Sequence, residues 1–240
     1  MLISYKNDEK LKSSFLAEIV KHRKADQIEQ GTYGRQNGTW KGCAVACSVR
    51  SLAILKGEEL KTDYNDHKRY ETDLGIPEWL ARLEDTIFEG LMEKEAKLWP
   101  EQFAKAIPVG VNLEPVKWKF SSFLLKENID RVLSLKIDDT LKKQVVDAIR
   151  GVLAVHENAL RTGKWDEDAA RSAARSAESA AWSAESAARS AESAEWSAAR
   201  SAARSAESAA WSAASVAWNA ASDAYSKYAR ELLRLLKEIK

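Results

Sequence analysis

The last 77 residues, Lys164 to Lys240, contain neither glycine nor proline, and most of them repeat. Between Arg171 and Ser226 the chain places 23 alanines and 15 serines in 56 residues. The serines advance by alternating steps of four and three, as at Ser172, Ser176, Ser179, Ser183 and Ser186, which is a heptad. Its cleanest copy is Ser176–Trp182, S-A-E-S-A-A-W, and one eight-residue unit, Ser197–Arg204, shifts the register by a residue. A heptad period rich in alanine and free of breakers specifies an α-helix, despite the middling propensity of serine. Gly163 supplies the break before it, and Asp166 and Asp168 set carboxylates at its positive end. Unbroken to Lys240, this helix would be about 110 Å long.

On a helical wheel the serines and the alanines after them form a broad arc of small side chains. The opposite, seventh position carries Trp182, Arg189, Trp196, Arg204, Trp211, Trp218 and Tyr225, with Glu178, Glu185, Glu192 and Glu207 beside it. Small residues let two backbones approach closely, and tryptophans alternating with arginines offer a second contact row with cation–π stacking. Packing is therefore the expected use of this segment, as a coiled-coil-like element that joins copies of the chain into a homo-oligomer. Ice binding would call for threonine on the flat face. A membrane-surface helix would need a cationic face, whereas here arginine and glutamate balance. Single strands stacking on the Trp/Arg row would meet repulsion from the interleaved glutamates.

The first 163 residues have ordinary complexity and hold all ten glycines and all four prolines. Leu11, Phe15, Ile19 and Val20 share one face of a helix within Asn7–Gln30. Cys43–Lys56 reads as a compact apolar helix ended by Gly57. Pro77 opens another, with Leu80, Leu83, Ile87 and Leu91 inward. Pro100 and Pro108 bracket a short helix around Phe103, and Val116–Leu135 follows with Trp118 and Phe120. Asp138 or Asp139 caps Leu141–Leu160, whose Val145, Ile149, Val152 and Leu153 make a stripe. No alternating strand stands out, and only Pro108–Val111 looks extended. The expected architecture is all-α: a helical globular domain over 1–163, then the long Ala/Ser-rich helix over 164–240.

Charge excludes some functions. Lys and Arg number 37 against 36 Asp and Glu, which is no nucleic-acid binder's basic excess. No apolar run approaches a bilayer span and the N-terminus lacks a signal-peptide core, so a cytoplasmic protein without a membrane partner is expected. Two cysteines make no disulfide framework.

The candidate site is Gly31–Arg50, GTYGRQNGTWKGCAVACSVR. Four glycines and several cations lead into a helix start, where free amides and backbone freedom can cradle an anion. Arg35, Lys41 and Arg50 supply charge, Tyr33 and Trp40 could stack on a base, and Gly42 and Cys43 sit at the helix entrance. The spacing is neither a Walker A motif nor a dinucleotide-binding turn. The expectation is a small anionic, nucleotide-like ligand, bound without catalysis. The alternative is a cysteine-dependent hydrolase or transferase, with Cys43 as nucleophile at a helix N-terminus and His67 or His22 as base. Cys43 and Cys47 lack a second close ligand pair. The carboxylate–imidazole pairs Glu18/His22 and His67/Glu71 have the spacing of solvated charge pairs, so neither a metal nor another cofactor is expected.

KGCAVACSVRS, LGIPEWLARLEDTIFEGL, WPEQFAKAIPVGVNLEPV and the Ala/Ser/Trp/Arg tail together resemble an uncharacterised family of bacterial and phage proteins with a G-C-A-V-G-C-S motif before a tail of variable length. The likeness spans nearly the whole chain. It departs at Ala46, where those proteins carry glycine, and at Arg50, where they carry histidine. The resemblance implies a phage-type host-interaction role: sequestering a host signalling nucleotide, or binding a host protein as a structural inhibitor.

Overall fold

The computed structural model describes residues 1–176, 178, 179 and 206–239, with side chains in the last stretch from Ala221 onward. The centre of the repeat, and with it the side-chain column from Trp182 to Trp218, lies outside these residues, so the expectation of one unbroken helix does too. What is described is all-α apart from one small hairpin. The helices are α1 (Glu9–Lys24), α2 (Ala44–Lys56), α3 (Arg69–Leu74), α4 (Glu78–Gly90), α5 (Glu93–Ala96), α6 (Trp99–Ala106), α7 (Glu114–Ser134), α8 (Asp139–Thr162), α9 (167–176) and α10 (Ala206–Glu238). Strands β1 (Arg35–Asn37) and β2 (Thr39–Lys41) pair antiparallel, Gln36 opposite Trp40. None of the described helices is long and apolar enough to cross a membrane.

The chain divides into two compact units, Met1–Val116 with Ala217–Lys240, and Lys117–Val216. The end of the tail belongs with the first 116 residues. Its composition explains why. After Tyr225 the Ala/Ser pattern gives way to ELLRLLKEI, and Leu232, Leu235 and Leu236 are buried. Ser222 Oγ donates to the Gly90 carbonyl at 3.4 Å, and the Ser226 hydroxyl bonds the Glu95 carboxylate.

In this first unit α2 is the hub, packed by α1, α3, α4 and α6. Every residue from Ala44 to Val49 is buried, together with Ser51, Leu52 and Ala53. Alanine, serine and cysteine leave room for neighbours on all sides, as a helix surrounded by others requires. The Cys43 thiol caps its start, accepting from Ala46 N at 3.4 Å, and Gly57 ends it in the left-handed conformation. Pro77 stands one position before α4 as its cap residue, and this helix buries Leu80 and Ile87 as its apolar spacing predicts. It also buries Glu84 and Asp85, against the grain of that pattern.

The second unit contains the rest of α7, α8 and α9. Asp138 caps α8 by accepting from Leu141 N at 2.9 Å, and Asp166 caps α9 through Ala169 N at 2.9 Å. Trp118 and Trp165 stack at 5.0 Å with His156 against both rings. Ala173, in the first copy of the repeat, is buried opposite Gly151 of α8. Its neighbours on the small-residue arc, Ser172, Ser176 and Ser179, are exposed.

Candidate functional site

The loop between α1 and α2 fastens the thiol of Cys43 in place. Gly42 N donates to Gln27 O, Glu29 N donates to Gly42 O, and Cys43 N donates to Thr32 O at 2.7 Å. The hairpin folds back over this strap. Trp40 is buried and its Nε1 donates to Thr62 O at 2.8 Å. Gly34 lies beside that contact with φ +148°, and a Cβ there would stand 1.8 Å from Thr62 O, so only glycine fits.

The cations expected to bind an anion are turned toward the chain itself. Arg35 forms a two-pronged pair with Glu29, Nε to Oε2 at 2.6 Å and Nη2 to Oε1 at 2.5 Å. Lys41 pairs with Asp26 at 3.0 Å. The Arg50 guanidinium lies over Trp40 at 4.5 Å and Tyr64 at 5.8 Å, and donates to Lys61 O. These side chains brace the hairpin and do not converge on one space.

Tyr33, Cys43 and His67 do converge, on a residue that the sequence did not single out. The Tyr33 hydroxyl donates to Asp85 Oδ2 at 2.7 Å, and His67 Nε2 lies 3.2 Å from the same oxygen. His67 Nδ1 faces the Asn65 carbonyl at 3.0 Å. Asp85 itself is 9% exposed, and its Oδ1 is buried without an N–H or O–H partner. One turn along α4, Glu89 accepts from Gly31 N at 2.8 Å. The Cys43 sulfur and one oxygen each of Asp85 and Glu89 lie within 4.8 Å of one another, the only such grouping of three among the described residues.

Electrostatics sort these groups. Burial pushes the Cys43 thiol well above its ordinary range, and the Asp85 charge adds to this. Burial also works against the Asp85 carboxylate, yet hydrogen bonds from His67, Tyr33 and, more weakly, the thiol outweigh it and hold Asp85 below the usual carboxylate range. Glu89 is raised by burial and by Asp85, with the Gly31 amide opposing. The Tyr33 phenol is raised by its bond to Asp85 first and by burial second. Asp85 is thus the fixed anion, with two acids beside it that resist ionising while that charge is unbalanced. A thiol held in its neutral form is a poor nucleophile, and its neighbour is a carboxylate.

The other histidine pair stays apart. His22 Nδ1 meets Gln27 Oε1 at 2.6 Å, Glu18 pairs with Lys21, and Glu71 accepts from Glu78 N. Cys47 is fully buried, its thiol against the Gly42 carbonyl at 3.5 Å. Glu84, next to Asp85, accepts from Tyr70 Oη at 2.5 Å in full burial. The signal for Asp85 and Glu89 was present in RLEDTIFEG: two carboxylates four apart share one helix face. No family model, no curated protein and no solved structure matches the chain.

Proposed function

We propose that this chain is a binding protein whose recognition site is the Cys43–Asp85–Glu89 cluster beneath the Gly31–Gly42 loop, and that it takes a positively charged group. The observation that carries this reading is Asp85. Its Oδ2 is tied by two donors, and its Oδ1 is buried with no such partner. A buried carboxylate oxygen without a strong donor costs free energy, up to about 1–3 kcal/mol if wholly unsatisfied, and a cation recovers that cost. Three acidic side chains meeting in one place favour a cation over the anion that the loop's composition suggests.

The test is thermal unfolding of the full chain against a panel of monovalent, divalent and organic cations and of nucleotides. At least one cation raises the unfolding midpoint; at a hundredfold excess over its Kd the gain is about 2.7 kcal/mol. Asp85→Asn removes the effect. Stabilisation by nucleotides instead, lost on Arg35→Ala, would return the site to anions.

The repeat supplies assembly: copies associate through the Ala/Ser segment, with a host protein as the further partner that the family resemblance implies. Light scattering then gives an elongated homo-oligomer, and a compact monomer counts against it. Two free, buried cysteines accord with a reducing, cytoplasmic setting.

A further inference from the structure

The donor set narrows the cation. We infer that Cys43, Asp85 and Glu89 form a site for a thiophilic divalent ion of the zinc class, bound through the Cys43 sulfur, Asp85 Oδ1 and a Glu89 carboxylate oxygen. This rests on the cation reading above and goes further by naming the class. Magnesium and calcium are held by oxygen ligands alone, whereas a sulfur donor selects zinc and its borderline-soft neighbours.

Geometry supports the choice at each ligand. Asp85 and Glu89 are four residues apart on α4, so both project toward the same neighbour. That neighbour is the first turn of α2, where Cys43 is the cap and its amide is fixed by Thr32 O. Each carboxylate is oriented by a hydrogen bond on one oxygen: Asp85 by His67 and Tyr33, Glu89 by Gly31 N. Outer-sphere bonds of this kind are what hold metal-ligating carboxylates in place. A second indication is Asp85 Oδ1, which is buried with no N–H or O–H donor in the remaining direction, the Cys43 thiol being the one weak donor beside the carboxylate. Ligand atoms of a tetrahedral zinc ion are about 3.5 Å apart. The ligand atoms here lie within 4.8 Å of one another, and Glu89 is the exposed member. On binding, the thiol proton passes to the buffer and the sulfur lone pair forms the bond to the metal, with no change of oxidation state.

Cobalt(II) reports such a site directly. The full chain, freed of metal with chelator and then dialysed, is titrated with cobalt(II). The expected result is one equivalent bound with a thiolate-to-cobalt charge-transfer band, displaced by zinc and unaffected by excess magnesium. Cys43→Ser abolishes the band and Cys47→Ser retains it. Glu89→Gln, at an exposed position that leaves folding intact, weakens binding at least tenfold. Calorimetry of zinc in buffers of different ionisation enthalpy shows a released proton. A band that is absent from the unsubstituted chain, or that persists in Cys43→Ser, overturns the assignment. If organic or alkali cations stabilise the chain through Asp85 while cobalt gives no band, the metal falls and the cation reading stands. If no cation binds in any form, both fall.

Discussion

Leu236→Ala is expected to destabilise the first unit by about 2–5 kcal/mol, although it lies four residues from the end of a low-complexity tail. Leu236 and Leu232 are each 0% exposed, four residues apart on α10, and Leu235 between them is buried as well. Truncation removes the transfer free energy of the lost methyl groups and leaves a cavity that a packed neighbourhood closes only in part. The helix has little freedom to slide and compensate. Tyr225 lies so close to Gly90 that a Cβ on that glycine would sit 2.1 Å from the ring, which fixes the register of α10 against α4. Denaturant unfolding checks the expectation, with Leu133→Ala, at a half-exposed position, as the control. That control should move stability by less than about 0.5 kcal/mol. A Leu236→Ala midpoint equal to the control's would mean that the tail end adds nothing to the unit. Deleting everything after Gly163 should act in the same direction and more strongly, since it removes all three leucines.

Local chemistry explains which features could be read in advance. Gly57, Asp138 and Gly163 mark helix ends where the backbone demands them, and the structure puts helix boundaries at each. The hairpin leaves no pattern because three-residue strands are too short to show alternation, although Asn37-Gly38 is a turn signal in its own right. Helix α3 lies in a polar stretch, and only tertiary packing shows that Tyr70 and Leu74 are buried. The tail reads as one piece since neither glycine nor proline interrupts it. The switch from alanine and serine to leucine after Tyr225 was the available sign that its end joins a core.

The site divides in the same way. Cys43 was legible as a thiol at a helix start, and His67 as its possible companion. What links them is Asp85, which lies more than forty residues beyond Cys43 on another helix, and no local pattern encodes that meeting. In an amphipathic helix such as α4, charged residues are expected on the wet face. Asp85 and Glu84 are buried because α4 is covered on more than one side, and that is a property of the assembled unit. Arg35 and Lys41 illustrate the converse. Their composition suits an anion site, but Glu29 and Asp26 lie within reach and satisfy them first.

Glu84→Gln is expected to remove a pH dependence of stability between about pH 4.5 and 8. Burial raises the Glu84 carboxyl to about 8, with the Asp85 charge adding to it and the Tyr70 hydroxyl opposing. One oxygen accepts from Tyr70, and Oε1 has no partner. In the unfolded chain the same group titrates at about 4.3. Between the two values the folded state therefore holds a proton that the unfolded state has released, so stability falls as pH rises. The slope is about 1.4 kcal/mol per pH unit at most. The contribution is fully present below the unfolded value and lost above the folded one. Glutamine can still accept from Tyr70 but cannot ionise, so its curve lacks this slope. The substituted chain is weaker at pH 5, because its amide brings two N–H donors where the neutral acid has one O–H and no partner stands there, and it gains on the original chain as the pH approaches 9. Denaturant midpoints at intervals from pH 5 to 9, in chelator so that no metal contributes, decide the matter. Parallel curves for the two chains would show that the slope comes from elsewhere. The direction also separates Glu84 from Asp85, whose depressed value acts on the acid side, where stability is lost as pH falls.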